Sequence, residues 1–181
     1  MLKTQTILNY YPFEGNANDV IGGNNFTVSG ATLEAGKMGQ QYKFDGVNDY
    51  MYTATELDFN AGKTMCMWID FSSPNATANY FLGMNSSAYG GVRYTPGTPG
   101  TVLFLGPGAT SVNYTTLDYD FPAYRVHLTM VRTTTRNVDW YINGEKIGSS
   151  DPGVTTSLPI KSIGRRASSN AYYSKCKIDE V

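Results

Sequence analysis

Apolar residues in this chain recur at every second position, and no segment sustains a 3.6-residue apolar period. That periodicity requires strands. Thr64-Met65-Cys66-Met67-Trp68-Ile69-Asp70-Phe71 places Met65, Met67, Ile69 and Phe71 on one face and Cys66 and Trp68 on the other. A strand apolar on both faces reads as central and covered on both sides, so Trp68 is expected to be buried. Tyr124–Arg132 sends Val126, Leu128 and Met130 inward and leaves His127 on the opposite face. Val138, Trp140 and Ile142 alternate with Asp139, Tyr141 and Asn143. Asn143-Gly144 supplies the two positive-φ positions of a type I′ turn, and Glu145-Lys146-Ile147 returns as the second arm of a hairpin.

Further strands are predicted at Ile7–Tyr11, Gln41–Phe44, Tyr50–Thr53, Tyr80–Met84, Val92–Thr95, Val102–Leu105, Ile160–Ile163 and Lys175–Val181. Pro96–Gly100 and Gly106-Pro107-Gly108 read as loops. About a dozen strands with no long helix predict an all-β fold of two antiparallel sheets in a jelly-roll sandwich. Fourteen Tyr, eight Phe and nineteen Gly suit a turn-rich, aromatic sandwich of this kind. The length of 181 residues fits one domain over 1–181, with no linker or repeat.

Fourteen basic against fifteen acidic residues leave no basic stripe for nucleic acid. No apolar run approaches the ~20 residues of a membrane helix. Met1–Thr6 runs directly into the first predicted strand, with no leader pattern before it. Taken at face value, the chain is made and folded in a cytoplasm; a mature secreted protein with an added Met would look the same. Cys66 and Cys176 could close one long disulfide loop, but a domain of this size needs no such staple, and two free thiols are the expected state.

Several motifs belong together. Tyr10-Tyr11-Pro12-Phe13-Glu14-Gly15-Asn16-Ala17-Asn18-Asp19 opens the chain, Phe44-Asp45-Gly46-Val47-Asn48-Asp49-Tyr50 follows, and Ile178-Asp179-Glu180-Val181 closes it. This set resembles the laminin-G-like branch of the concanavalin A-like lectin/glucanase superfamily, over nearly the whole chain. The resemblance implies a concanavalin A-like jelly roll whose first and last strands lie close together. It also implies a structural Ca²⁺ held by the Asp of a glycine-rich loop and the Asp of the closing motif. Those positions are Asp19, Gly22 and Asn24, with Asp179. Ile21 and Gly23 depart from the family loop. The alternative is that Asp19 caps a turn while Asp179 and Glu180 face solvent.

Two further chemistries bear on the chain, recognition and hydrolysis. The segment from Tyr80 to Tyr119 interleaves aromatics with Asn, Ser, Thr, Gly and one Arg, a composition suited to stacking on sugars or adapting to a protein surface. Candidate ligand contacts are Tyr89, Arg93, Tyr94, Tyr114 and Tyr119, with the Tyr141 side of the sheet as the other place for the site. The alternative for each Tyr is a half-buried strand position. Glycoside hydrolysis needs two facing carboxylates. Asp118-Tyr119-Asp120 is a close acidic alternation with Pro122 soon after it, and Asp179 and Glu180 should point to opposite faces. His127 reads as structural. The expectation is therefore a non-catalytic, lectin-like binding or adhesion domain. It would contact a glycan or a protein surface, without nucleic acid or membrane. Its setting is expected to be a phage virion, as a head-decoration or tail-fibre protein assembled with other virion proteins. The other setting is a carbohydrate-binding module of an extracellular or cell-surface enzyme or adhesin.

Overall fold

A computed structural model describes residues 6–84, 90–97, 99–106, 115–134, 136–153, 157–167 and 171–181. Fourteen strands fall within them: β1 Phe26–Ser29, β2 Thr32–Ala35, β3 Gln40–Asp45, β4 Tyr50–Asp58, β5 Thr64–Asp70, β6 Asn79–Met84, β7 Gly91–Thr95, β8 Thr101–Leu105, β9 Thr116–Asp118, β10 Val126–Thr134, β11 Asn137–Ile142, β12 Glu145–Ser150, β13 Pro159–Ile163 and β14 Lys175–Asp179. They form two seven-stranded sheets. The first runs β1-β4-β13-β6-β7-β8-β9 and the second β12-β11-β10-β5-β14-β3-β2. Every pairing is antiparallel. The all-β sandwich expected from the period-2 pattern is the fold.

The core lies between the sheets. Met67 and Ile69 of β5, Val126, Leu128 and Met130 of β10, and Val138 and Trp140 of β11 are fully buried there. Phe104 bridges the layers, 5.6 Å from Phe59 and 6.2 Å from Trp140. At one end Phe71, Phe81, Tyr94 and Phe121 pack ring on ring at 5.0–5.5 Å. Leu117 of β9 sits where a side chain on Gly148 of β12 would be, so the two edge strands close on each other.

The hairpin turns at Asn143 (φ 51°) and Gly144 (φ 87°), as the Asn-Gly pair predicts. The Asn143 carboxamide oxygen accepts the His127 backbone N–H at 2.9 Å, and its own N–H donates to the His127 carbonyl at 2.8 Å. The turn thus anchors itself to β10. Gly144→Val puts a β-branched residue at a positive φ and should cost at least ~1 kcal/mol in a denaturation curve.

Three expectations change. Residues 7–11 form no strand. Instead Tyr11 and Val181 exchange both backbone hydrogen bonds, which brings the two ends of the described chain together. The short strands β1, β2 and β9 fall outside the predicted set. Trp68 is only half-buried: β5 is central in its sheet, but its second face is the outer surface of the sandwich.

Candidate functional site

The outer face of the second sheet carries a set of polar and aromatic side chains on adjacent strands. His127 on β10 lies directly opposite Trp68 on β5, and Trp68 lies directly opposite Asp179 on β14. These three form one row across adjacent strands. Tyr141, Thr129 and Cys66 form the next row. The Trp68 and His127 rings meet edge to face at 5.1 Å, and the Lys37 ammonium stands 5.4 Å from the Trp68 ring centre. Burial lowers the pKa of His127, so its ring is neutral at physiological pH, with one donor and one acceptor nitrogen.

Beside this row lies a buried polar network. Gln41, only 1% exposed, donates to Glu34 and to the Ala35 carbonyl, both at 2.9 Å, and accepts from the Arg125 guanidinium at 2.6 Å. Asp179 is fully buried, not solvent-facing, because the turn between β2 and β3 folds over it. Its Oδ2 accepts the Lys37 backbone N–H at 3.0 Å, while Oδ1 has no hydrogen-bond partner. Burial pushes the Asp179 pKa up. Glu180 does not simply point away: its φ of 49° breaks the alternation, and its charge adds to the burial that raises Asp179 and Cys66. Both cysteines are free thiols, and burial pushes the Cys176 thiol up to about 12.

The N-terminal loop is organised around Asp19. Its Oδ1 accepts backbone N–H groups of Tyr10 (2.9 Å), Ile21 (3.1 Å) and Gly22 (2.9 Å). Its Oδ2 accepts from the Asn9 side chain (2.6 Å) and the Asn24 backbone (3.1 Å). Burial alone would raise this carboxyl; the Asn9, Tyr10, Gly22 and Asn24 hydrogen bonds outweigh it and hold the pKa at about 2. A Cβ on Gly22 would collide with the Leu8 carbonyl and the Asn9 amide, which explains the glycine. The Asn24 carbonyl accepts the Tyr11 hydroxyl at 2.8 Å. Calcium requires six to eight oxygens. Asp19 is surrounded by N–H donors and shares no hydrogen-bond partner with Asp179, so this donor set does not fit a cation bridging the two. Among the described residues no three His, Cys, Asp or Glu side chains gather as a metal-binding group.

The Tyr80–Tyr119 candidates separate. Tyr94 is 4% exposed and packs against Phe71 and Phe121, so its side chain belongs to the core and not to a binding surface. Tyr119 is half-buried and leans edge-on against Phe121 at 5.4 Å. Arg93 lies on the outer face of the first sheet, opposite Tyr80, with its guanidinium 5.9 Å from that ring. Tyr141 is half-buried on the outer face of the second sheet. Tyr89 and Tyr114 lie outside the described residues. Sequence reasoning missed Trp68, Lys37, Gln41 and Arg125. The available signal was the polar pair Thr64 and Asp70, which share the face of Trp68.

Residues 45–181 match the concanavalin A-like lectin/glucanases superfamily. The chain belongs to that superfamily. No curated protein sequence matches it. Among solved structures this superfamily member is similar to domain 4 of AbnA, a GH43 extracellular arabinanase from Geobacillus stearothermophilus, in complex with arabinotriose. The TM-score is 0.72 at 15% identity, over 96% of this chain and 89% of that one. It is also similar to the ligand-binding domain of botulinum neurotoxin serotype D in complex with N-acetylneuraminic acid. There the TM-score is 0.61 at 12% identity, over 96% of this chain and 46% of that one. For the Trypanosoma rangeli sialidase in complex with the inhibitor DANA, the TM-score is 0.64 at 12% identity, over 99% and 30%. The chain spans less than half of these last two proteins. At such identities the likeness establishes the shared lectin-like sandwich.

Proposed function

We propose that this chain is a non-catalytic glycan-binding domain that takes a neutral sugar chain across Trp68 on the outer face of the second sheet. The carrying observation is a half-exposed tryptophan on the solvent side of a central strand, in one row with a neutral imidazole, while the other tryptophan is wholly in the core. An indole offers a flat apolar surface to the C–H face of a pyranose or furanose ring. His127, Thr129 and Tyr141 surround it with donors and acceptors for hydroxyl groups. Three adjacent strands, β5, β10 and β11, hold these side chains in register, so little ordering is needed on binding. The Lys37 ammonium, 5.4 Å from the ring centre, stands at the edge of this surface.

A binding role also suits the placement of the acids. Asp179 is closed off beneath the β2–β3 turn. Asp120 is engaged by the Gly100 backbone at 2.7 Å, and Asp118 is exposed on an edge strand. None of these pairs with another across an open cleft in the manner of glycoside hydrolysis. The likeness to a domain that holds arabinotriose makes that trisaccharide a reasonable first probe. The setting we favour is display on a phage particle, as a head-decoration or tail-fibre protein, because both thiols are free and suit folding in a reducing cytoplasm.

Calorimetric titration with arabinotriose tests the site. The native protein should bind, and Trp68→Ala should weaken binding at least tenfold while the domain stays folded. Unchanged affinity in Trp68→Ala would remove this face as the binding site.

A further inference from the structure

The outer face of the other sheet holds a second aromatic construction that the Trp68 site does not use. Tyr80 on β6 is 1% exposed, yet it stands on the opposite side of its strand from the core residue Phe81. It is buried because other side chains cover it. Tyr172 packs on it with ring centres 5.7 Å apart, and Arg93 of β7 lies 5.9 Å from its ring centre. Arg166 in turn sits 4.8 Å from the Tyr172 ring centre. On the same face, two strands away, the Arg165 guanidinium lies 3.5 Å from the ring centre of Tyr50 on β4. From β4 to β7 the surface spans three strand spacings, about 14 Å.

Two features separate this face from ordinary packing. Tyr172 has φ 58°, a left-handed conformation that an aromatic residue adopts only at a cost. It nevertheless remains 46% exposed, so that cost is not recovered by burying its ring. Asn or Gly would satisfy the same backbone without strain. What the tyrosine adds is a ring tilted against Tyr80 and nearly half exposed, with the Arg166 guanidinium 4.8 Å from its centre. The second feature is charge. Three guanidinium groups gather over tyrosine rings in a chain whose net charge is only −1. No ion pair among the described residues engages Arg93. A guanidinium resting on an aromatic ring keeps its N–H groups in its own plane, directed outward, where they match the two oxygens of a carboxylate.

We propose that Tyr172, supported by Tyr80 and flanked by Arg93, forms a second site, independent of Trp68, that binds a carboxylate-bearing sugar. The exposed part of the Tyr172 ring, beside Arg166, takes C–H groups of a uronic acid residue and Arg93 takes its carboxylate.

The test is calorimetric titration with the trisaccharide of galacturonic acid, against the neutral galactose trisaccharide. The native protein should bind the acidic sugar at least tenfold more tightly than the neutral one. Arg93→Ala and Tyr172→Gly should each lower affinity for the acid at least tenfold. Tyr172→Gly removes the ring and suits the positive φ, so the variant should still fold and melt cooperatively, which separates lost binding from lost folding. Trp68→Ala should leave acid binding unchanged. Equal affinity for both trisaccharides, no binding of the acid, or acid binding that survives Arg93→Ala and Tyr172→Gly overturns the proposal. So does acid binding lost in Trp68→Ala.

Discussion

Trp140→Ala should lower stability by roughly 3–5 kcal/mol. The ring is fully buried at the centre of β11, with Phe104 of the opposite sheet 6.2 Å away. Its indole N–H donates to the Ser150 hydroxyl at 2.7 Å, so truncation also strands a buried hydroxyl. The surrounding side chains come from both sheets and cannot all collapse into the space. A cavity therefore remains, and cavity and transfer terms add. Urea denaturation followed by far-ultraviolet circular dichroism measures the loss. A midpoint within error of the native value would mean that Trp140 does not fill the inter-sheet core.

Asp19→Ala should cost on the order of 3 kcal/mol, since several of the five N–H donors converging on the carboxylate have no other partner. The pH dependence follows from the pKa of about 2, held below the ordinary 3.8. A depressed carboxyl contributes stability that is complete above its unfolded pKa and is lost as pH falls through the folded value. The native protein should therefore lose this contribution between pH of about 4 and 2. In Asp19→Ala that part of the acid dependence should be absent. Because the partners are N–H groups, the cost should be the same with and without a chelator. Chelator sensitivity in the native protein that disappears in Asp19→Ala would instead place a cation at this loop.

The parts of the fold that could be read from the chain are those set by local chemistry. Asn143-Gly144 admits few conformations besides a tight hairpin turn, and the alternation through Val126, Leu128 and Met130 can face only one core. Trp68 was harder, because β5 reads as apolar on both faces. Whether a second layer covers its outer face depends on the arrangement of distant elements, and among the described residues no such layer does. Tyr94 presents the reverse problem. Its neighbours look like a recognition loop, but the register of β7 turns it toward Phe71 and Phe121. Asp179 is buried by a turn about 140 residues earlier in the chain, where Lys37 supplies its hydrogen bond. Tyr172 lies outside any strand, and its stacking on Tyr80 joins segments more than ninety residues apart. The readings of Trp68, Tyr94 and Asp179 turn on which side of an element is covered, and that is decided by long-range contacts.

The most direct measurement of the central claim is tryptophan fluorescence during titration with arabinotriose. Trp140 is sealed in the core, so a change on binding reports on Trp68. The account predicts a saturable change in emission with the same midpoint as calorimetry, absent in Trp68→Phe. Calorimetric binding of arabinotriose with no change in tryptophan emission would contradict it.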